Sequence, residues 1–148
     1  MPPSVLEIVT PFLKHWEGCV LTAYTDQGGR VTIGYGHTGN VALGTQVSQQ
    51  QADELLEADI RGAVPQVEGV VKVPVNANQM AALISFTFNL GISNLTRSGL
   101  LLQLNRNNLL QAADQFLLWN HIGMYVSPGL SARRAAERAL FLKAPGND

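Results

Sequence analysis

Glu17, Asp26 and Thr32 stand in the spacing E-x8-D-x5-T, and between the two carboxylates the chain passes from a helical pattern into a Gly-rich hairpin. All three side chains can then face one cleft. Two carboxyls and a hydroxyl are the minimum equipment for cleaving a glycosidic bond. One carboxyl protonates the leaving oxygen while the other directs a water or steadies the developing cation. The surroundings divide the labour. Glu17 falls in the last turn of a helix, where the dipole disfavours an ionised carboxylate, and Trp16 with its apolar neighbours adds desolvation. Asp26 lies in the polar turn Asp26-Gln27-Gly28-Gly29, among exposed amides. Environments that separate two carboxyls in this way mark the acid and its ionised partner, so Glu17 is assigned the acid and Asp26 the partner. Thr32 can hydrogen-bond a water held by Asp26, which suits direct displacement by water.

The elements that must position these groups are readable from periodicity. Ser4 and Glu7 form the S-x-x-E capping box of a first helix. Val5, Ile8, Val9, Phe12, Leu13, Trp16 and Val20 recur along it as one apolar face. Pro11 interrupts the run on its polar side and predicts a kink toward solvent, and Gly18 is the terminator. Tyr24-Thr25 and Val31-Thr32-Ile33 read as short strands around the turn. Ser48 and Gln51 open a second helix that runs toward Pro65. Asn76 and Gln79 open a third, Met80 to Phe88, which carries no charge and is too short to span a bilayer. It is expected to be the central buried helix. Short helices are expected around Leu100 to Leu104 and Leu109 to Trp119. A last helix places Ala132, Ala135, Ala136, Ala139 and Leu140 on one face. Linkers and repeats are absent, so 1–148 reads as one α+β domain.

Composition narrows the function classes. The chain has 148 residues, 46% apolar and 14% charged, enough for a real core and too apolar for a disordered chain. A formal charge of −1 provides no general attraction to nucleic acid. The single cysteine, Cys19, excludes an internal disulfide and reads as a small buried hydrophobe. None of the three histidines, His15, His37 and His121, has metal-ligand spacing, and His37 reads as a structural hydrogen-bonding residue. Pro2, Pro3, Glu7, Pro11, Lys14 and Glu17 break any apolar run near the N-terminus, so neither a signal-peptide core nor a membrane anchor is expected.

The order of Glu17-Gly18, Leu21-x-Ala23-Tyr24, Asp26 and Thr32-Ile33-Gly34-Tyr35-Gly36-His37-Thr38 resembles the active-site segment of the tailed-phage lysozymes, glycoside hydrolase family 24. The resemblance extends over nearly all of the chain. It implies a lysozyme-like α+β fold, with a small β-hairpin N-terminal lobe and a mainly helical C-terminal lobe. The implied activity is that of a lysozyme: an N-acetylmuramidase that hydrolyses the β-1,4 bond between N-acetylmuramic acid and N-acetylglucosamine, with inversion. Carboxyl groups in inverting enzymes stand roughly 6.5–9.5 Å apart. Thr38 belongs to the matching segment as a substrate-binding position. Gln79 to Gly91 is similar to the family's central helix, where the positions of Phe88 and Asn89 face the sugar cleft; helix capping explains Asn89 nearly as well. Ser98 resembles a further cleft-facing position. Gly129-Leu130-x-x-Arg133-Arg134-x-x-Glu137 is similar to a second family signature. Either Arg133 or Arg134 is expected to reach the catalytic Glu or the glycan, the alternative being a solvated helix face with Arg133 and Glu137 paired. Trp119 reads as core rather than as a sugar platform.

The expected biology is that of an endolysin acting as a monomer on the glycan strands of peptidoglycan. It would be made in the host cytoplasm and would depend on a holin to permeabilise the membrane. Protonation and water attack supply the reaction, so no cofactor is expected. The rival readings are a lytic transglycosylase, which needs no water-holding carboxylate, and a non-catalytic peptidoglycan-binding virion module. The set Glu17, Asp26 and Thr32 argues against both.

Overall fold

A computed structural model describes residues 4–145. The chain falls into two compact units, one formed by Thr10–Gly62 and the other by the residues up to Val9 together with those from Ala63 onward. Helix α1 (Val5–Glu17) and helix α2 (Gln49–Val70) each contribute to both.

The first unit, Thr10–Gly62, is built on a three-stranded antiparallel sheet in the order β1 (Val20–Thr25), β2 (Val31–Gly34), β3 (His37–Thr38). On its other edge β1 is joined by a short extended segment, through Ala23 N to Thr45 O at 2.8 Å and Val47 N to Leu21 O at 2.9 Å. Both edges of the hairpin's first strand are therefore paired. Leu13, Ala23, Ile33, Ala52, Leu56 and Ile60 form its buried core. Ser4 caps α1 through Glu7 N at 3.2 Å. The Ser48–Gln51 box opens α2 with reciprocal bonds of 2.8 and 3.1 Å, a device worth on the order of 1 kcal/mol.

The second unit is helical. The predicted buried helix is α3 (Ala77–Leu90), opened by the Asn76–Gln79 capping box and stopped at Gly91, whose φ is +88°. Nine consecutive or near-consecutive side chains of α3, from Asn78 to Thr87, are buried. Each large apolar one contributes roughly 1.5–3 kcal/mol of transfer free energy. Around it lie α4 (Ile92–Arg97), α5 (Gly99–Asn105), α6 (Leu109–Phe116), the hairpin β4 (His121–Ile122) and β5 (Tyr125–Val126), and α7 (Pro128–Leu142). Phe116 meets Phe86 edge-on at 5.8 Å and Phe141 at 5.5 Å, and Trp119 meets Phe86 at 5.5 Å.

Several sequence expectations change. Val20 does not continue the apolar face of α1; it opens β1 and is 43% exposed, because Gly18 with φ +66° turns the chain first. Helix α2 passes through Pro65 to Val70. Buried Ala63 and Val67 flank the proline, and the carbonyl it leaves without a donor belongs to Arg61, an exposed residue. Pro11 is likewise on the exposed side of α1. Trp119 stands beyond the end of α6, and α4 and the β4–β5 hairpin were not expected. Cys19 is half-buried, its Sγ 4.0 Å from Gln49 Oε1, rather than a core hydrophobe. On α7 Ala132, Ala135 and Ala139 are exposed, while Arg133, Arg134, Glu137 and Phe141 are buried, so the alternative of a solvated face for Arg133 and Glu137 does not hold.

Candidate active site

Within the first unit, Glu17 is the last residue of α1 and is half-buried. Gly18 N donates to Lys14 O at 3.3 Å and its positive φ lets the chain leave the helix at once. Two residues after Gly18, β1 begins at Val20. Asp26 closes the turn at the far end of β1. Its backbone N donates to Arg30 O at 2.8 Å, and its backbone carbonyl accepts from Gly29 N at 3.0 Å. The side chain joins in: Oδ1 accepts from Arg30 N at 2.8 Å. One carboxylate oxygen thus locks the turn, and the other, Oδ2, lies 3.4 Å from Thr32 Oγ1.

Thr32 is 3% exposed, and its hydroxyl sits 3.1 Å from Arg30 O as well as 3.4 Å from Asp26 Oδ2. A hydroxyl has one proton, so it can satisfy only one of these acceptors at a time and keeps lone pairs for another donor. An aspartate oxygen and a hydroxyl at this separation can both contact one water. Tyr24 and Thr38 lie opposite Thr32 on the two neighbouring strands, so the three side chains share a row across the sheet. Thr38 is exposed.

The support beneath this hairpin is polar. His37 Nδ1 lies 2.7 Å from Asp59 Oδ2, the structural hydrogen bond expected of that histidine. Gly34 has φ +64°, which favours glycine, and a Cβ there would touch Ala52 Cβ at 3.4 Å. Lys14, on the turn before Glu17, reaches Asp53 Oδ1 at 3.1 Å and lies 5.6 Å over the Tyr35 ring. Gln49 Nε2 donates to Tyr35 Oη at 2.9 Å and to Asp53 Oδ1 at 3.0 Å. The Gln49 hydrogen bond and the Lys14 ammonium hold the Asp53 carboxyl below its ordinary value. Nothing in the linear spacing of Lys14, Tyr35, Gln49 and Asp53 announces this cluster.

Within the second unit, α3 and α7 share a buried charged network. Glu137 is completely buried. Its Oε2 accepts from Ser85 Oγ at 2.6 Å, and Arg133 Nε stands 3.4 Å away. Arg134 Nε lies 3.2 Å from Oε1 as a second ion pair. Arg133 Nη2 also donates to Ser85 O and Oγ, each at 3.3 Å. Burial pushes the Glu137 carboxyl up, while Arg134, the Ser85 hydroxyl and Arg133 pull it back. Arg134 Nη2 donates to Asn89 Oδ1, and its guanidinium carbon is 5.3 Å over the Phe86 ring.

The pairing of Arg133 with Glu137, the alternative to a site role for these arginines, is present, in the interior rather than on a solvated face. Phe88 is half-buried and Asn89 is exposed at the end of α3. The helix end is closed by Gly91 N to Thr87 O at 2.7 Å, so capping does not account for Asn89. Ser98 is 4% exposed; its hydroxyl donates to Leu95 O at 2.7 Å and accepts from Leu101 N at 3.0 Å, capping α5. Ser85 was missed, although it is the one side chain in Met80–Phe86 able to form a strong hydrogen bond. Among the described residues no group of three or more His, Cys, Asp and Glu could hold a metal ion, and no helix is long and apolar enough to cross a membrane.

Comparison with known proteins supplies the ancestry. The sequence pattern described as phage lysozyme matches residues 14–137. An endolysin of Salmonella phage P22 is 44% identical over 136 residues, spanning 88% of this chain and 92% of its own length. Among solved structures, a mutant of P22 lysozyme superposes with a TM-score of 0.84 at 40% identity, covering 95% of this chain and 99% of the other. The muramidase domain of SpmX from Asticaccaulis excentricus superposes with a TM-score of 0.86 at 36% identity, over 91% and 95% of the two chains. Both the sequence pattern and the fold it adopts are those of one lineage, and the chain belongs to the phage lysozyme family, the endolysins of glycoside hydrolase family 24 that break down peptidoglycan.

Proposed function

We propose that this peptidoglycan-lytic protein is an inverting N-acetylmuramidase that cuts the β-1,4 bond between N-acetylmuramic acid and N-acetylglucosamine for host cell lysis. Glu17 is the general acid, protonating the leaving oxygen. Asp26 and Thr32 together hold and deprotonate the attacking water. The observation that carries the reading is the arrangement at the turn. Asp26 commits Oδ1 to the Arg30 amide and leaves Oδ2 beside a hydroxyl that cannot serve all its neighbours at once. Thr38, Phe88, Asn89, Ser98, Arg133 and Arg134 are the glycan-binding and site-ordering residues, with residues 1–148 working as one catalytic domain. The muramidase named among its structural neighbours supports the choice of bond. The protein acts as a monomer without cofactor, reaching the wall from the cytoplasm when a holin opens the membrane.

One digest tests the reaction. Purified peptidoglycan treated with the protein should yield, by mass spectrometry, fragments with reducing N-acetylmuramic acid ends. Proton NMR of an oligomeric fragment, read before mutarotation, should show the α-anomer first. Anhydro ends would make the protein a transglycosylase, absence of cleavage a binding module, and a first-formed β-anomer would mean that Asp26, or a group of the substrate, is the nucleophile.

A further inference from the structure

We infer that Arg134 is a positioning residue that fixes the Asn89 amide with its carbonyl inward and its N–H2 outward, so that Asn89 presents a hydrogen-bond donor to an acceptor oxygen of the glycan. The inference rests on the proposed placement of Asn89 at the glycan.

The orientation follows from donor and acceptor inventories. A guanidinium has five N–H donors and no acceptor. The amide atom facing Arg134 Nη2 must therefore be Oδ1, since a rotated amide would set N–H2 against N–H. Arg134 cannot turn away to permit that rotation. It is completely buried, its Nε lies 3.2 Å from Glu137 Oε1 in an ion pair, and its guanidinium carbon stands 5.3 Å over the Phe86 ring. Glu137 is itself held by Ser85 Oγ at 2.6 Å and by Arg133. Each group in the series Ser85, Glu137, Arg134, Asn89 has its orientation set by the one before. Only the last is exposed. Asn89 Nδ2 is then a donor of fixed direction on an exposed helix end, which saves the rotamer entropy that a free amide loses on binding. On a peptidoglycan strand the matching acceptors are the carbonyl oxygen of an N-acetyl group and a ring hydroxyl.

Asn89→Asp separates this role from a structural one. The carboxylate still accepts from Arg134 but offers an oxygen outward where the donor stood. On N-acetylated glycan oligomers it should raise KM roughly ten-fold, the scale of one lost hydrogen bond, with kcat and melting temperature close to wild type. Asn89→Ala should raise KM too. If Asn89→Ala leaves KM unchanged, Asn89 does not meet the glycan and the inference falls with its premise. If Asn89→Ala raises KM and Asn89→Asp does not, the contact exists but the donor is not what it uses, and the inference alone is overturned. Arg134→Met, which frees the amide to rotate, should raise KM less than Asn89→Asp, and Arg134→Lys should restore part of the loss. Repeating Asn89→Asp on N-deacetylated oligomers identifies the acceptor: the penalty disappears for an N-acetyl carbonyl and persists for a hydroxyl, and either result upholds the donor.

Discussion

The hairpin of the first unit and the α3–α7 network of the second both organise carboxylates, and they do so by opposite means. Asp26 stands in a half-exposed turn, held by one backbone amide, with a neighbouring hydroxyl that divides its attention. Glu137 is sealed in the interior, where two guanidiniums and a hydroxyl surround it. The first keeps one oxygen, Oδ2, beside a hydroxyl and within reach of solvent. Desolvation makes the second hard to ionise alone and hard to disturb once paired. A carboxylate proposed to direct a water needs spare capacity; a scaffolding carboxylate needs none.

The contrast can be broken by substitution. The largest effect is expected at Glu17→Gln, whose amide cannot serve as an acid. Wall lysis should fall by about 10²–10⁴-fold, while circular dichroism and melting temperature stay at wild-type values. More than about a tenth of the activity surviving would remove Glu17 from the acid role. Glu137→Ala should do the reverse. Leaving two buried guanidiniums without their carboxylate costs about 3–5 kcal/mol, a fall in melting temperature on the order of 10 °C for a chain of this size. Calorimetry showing almost no change would mean that the network is not structural.

A smaller effect sharpens the picture at the surface. The Asp53 carboxyl is held below its ordinary value by Gln49 and Lys14, so the native state binds fewer protons than the unfolded chain in the window just below about pH 3.9. That contribution is complete above the unfolded value and is lost as pH falls through the folded one. Asp53→Asn should therefore lose slightly less stability than wild type between pH 7 and about pH 3. Urea denaturation at the two pH values measures the difference; parallel losses would show that the pairing does not survive in solution.

Much of this was legible in the chain because it rests on local rules. Ser4, Ser48 and Asn76 announced three helix starts, since a cap and its partner lie within one turn. The turn at Asp26 was legible for the same reason. What failed depended on tertiary partners. The alternative of a solvated Arg133–Glu137 face on α7 failed, because the decisive interactions, Ser85 with Glu137 and Arg133, join positions 52 and 48 residues apart. The β4–β5 hairpin was missed because each strand has only two residues, too short for alternation to register. Pro65 looked like a stop, but buried Ala63 and Val67 on either side of it anchor a helix that continues to Val70.

Of the two tryptophans in the chain, Trp16 belongs to the first unit and Trp119 to the second. Trp16 lies against His15 and Phe12 at 4.9 and 6.4 Å, and Trp119 against Phe86. The molecule therefore carries one tryptophan fluorophore for each unit. A pair of single-tryptophan variants would report, from emission alone, whether the sheet and the helical bundle melt in one cooperative step or in two.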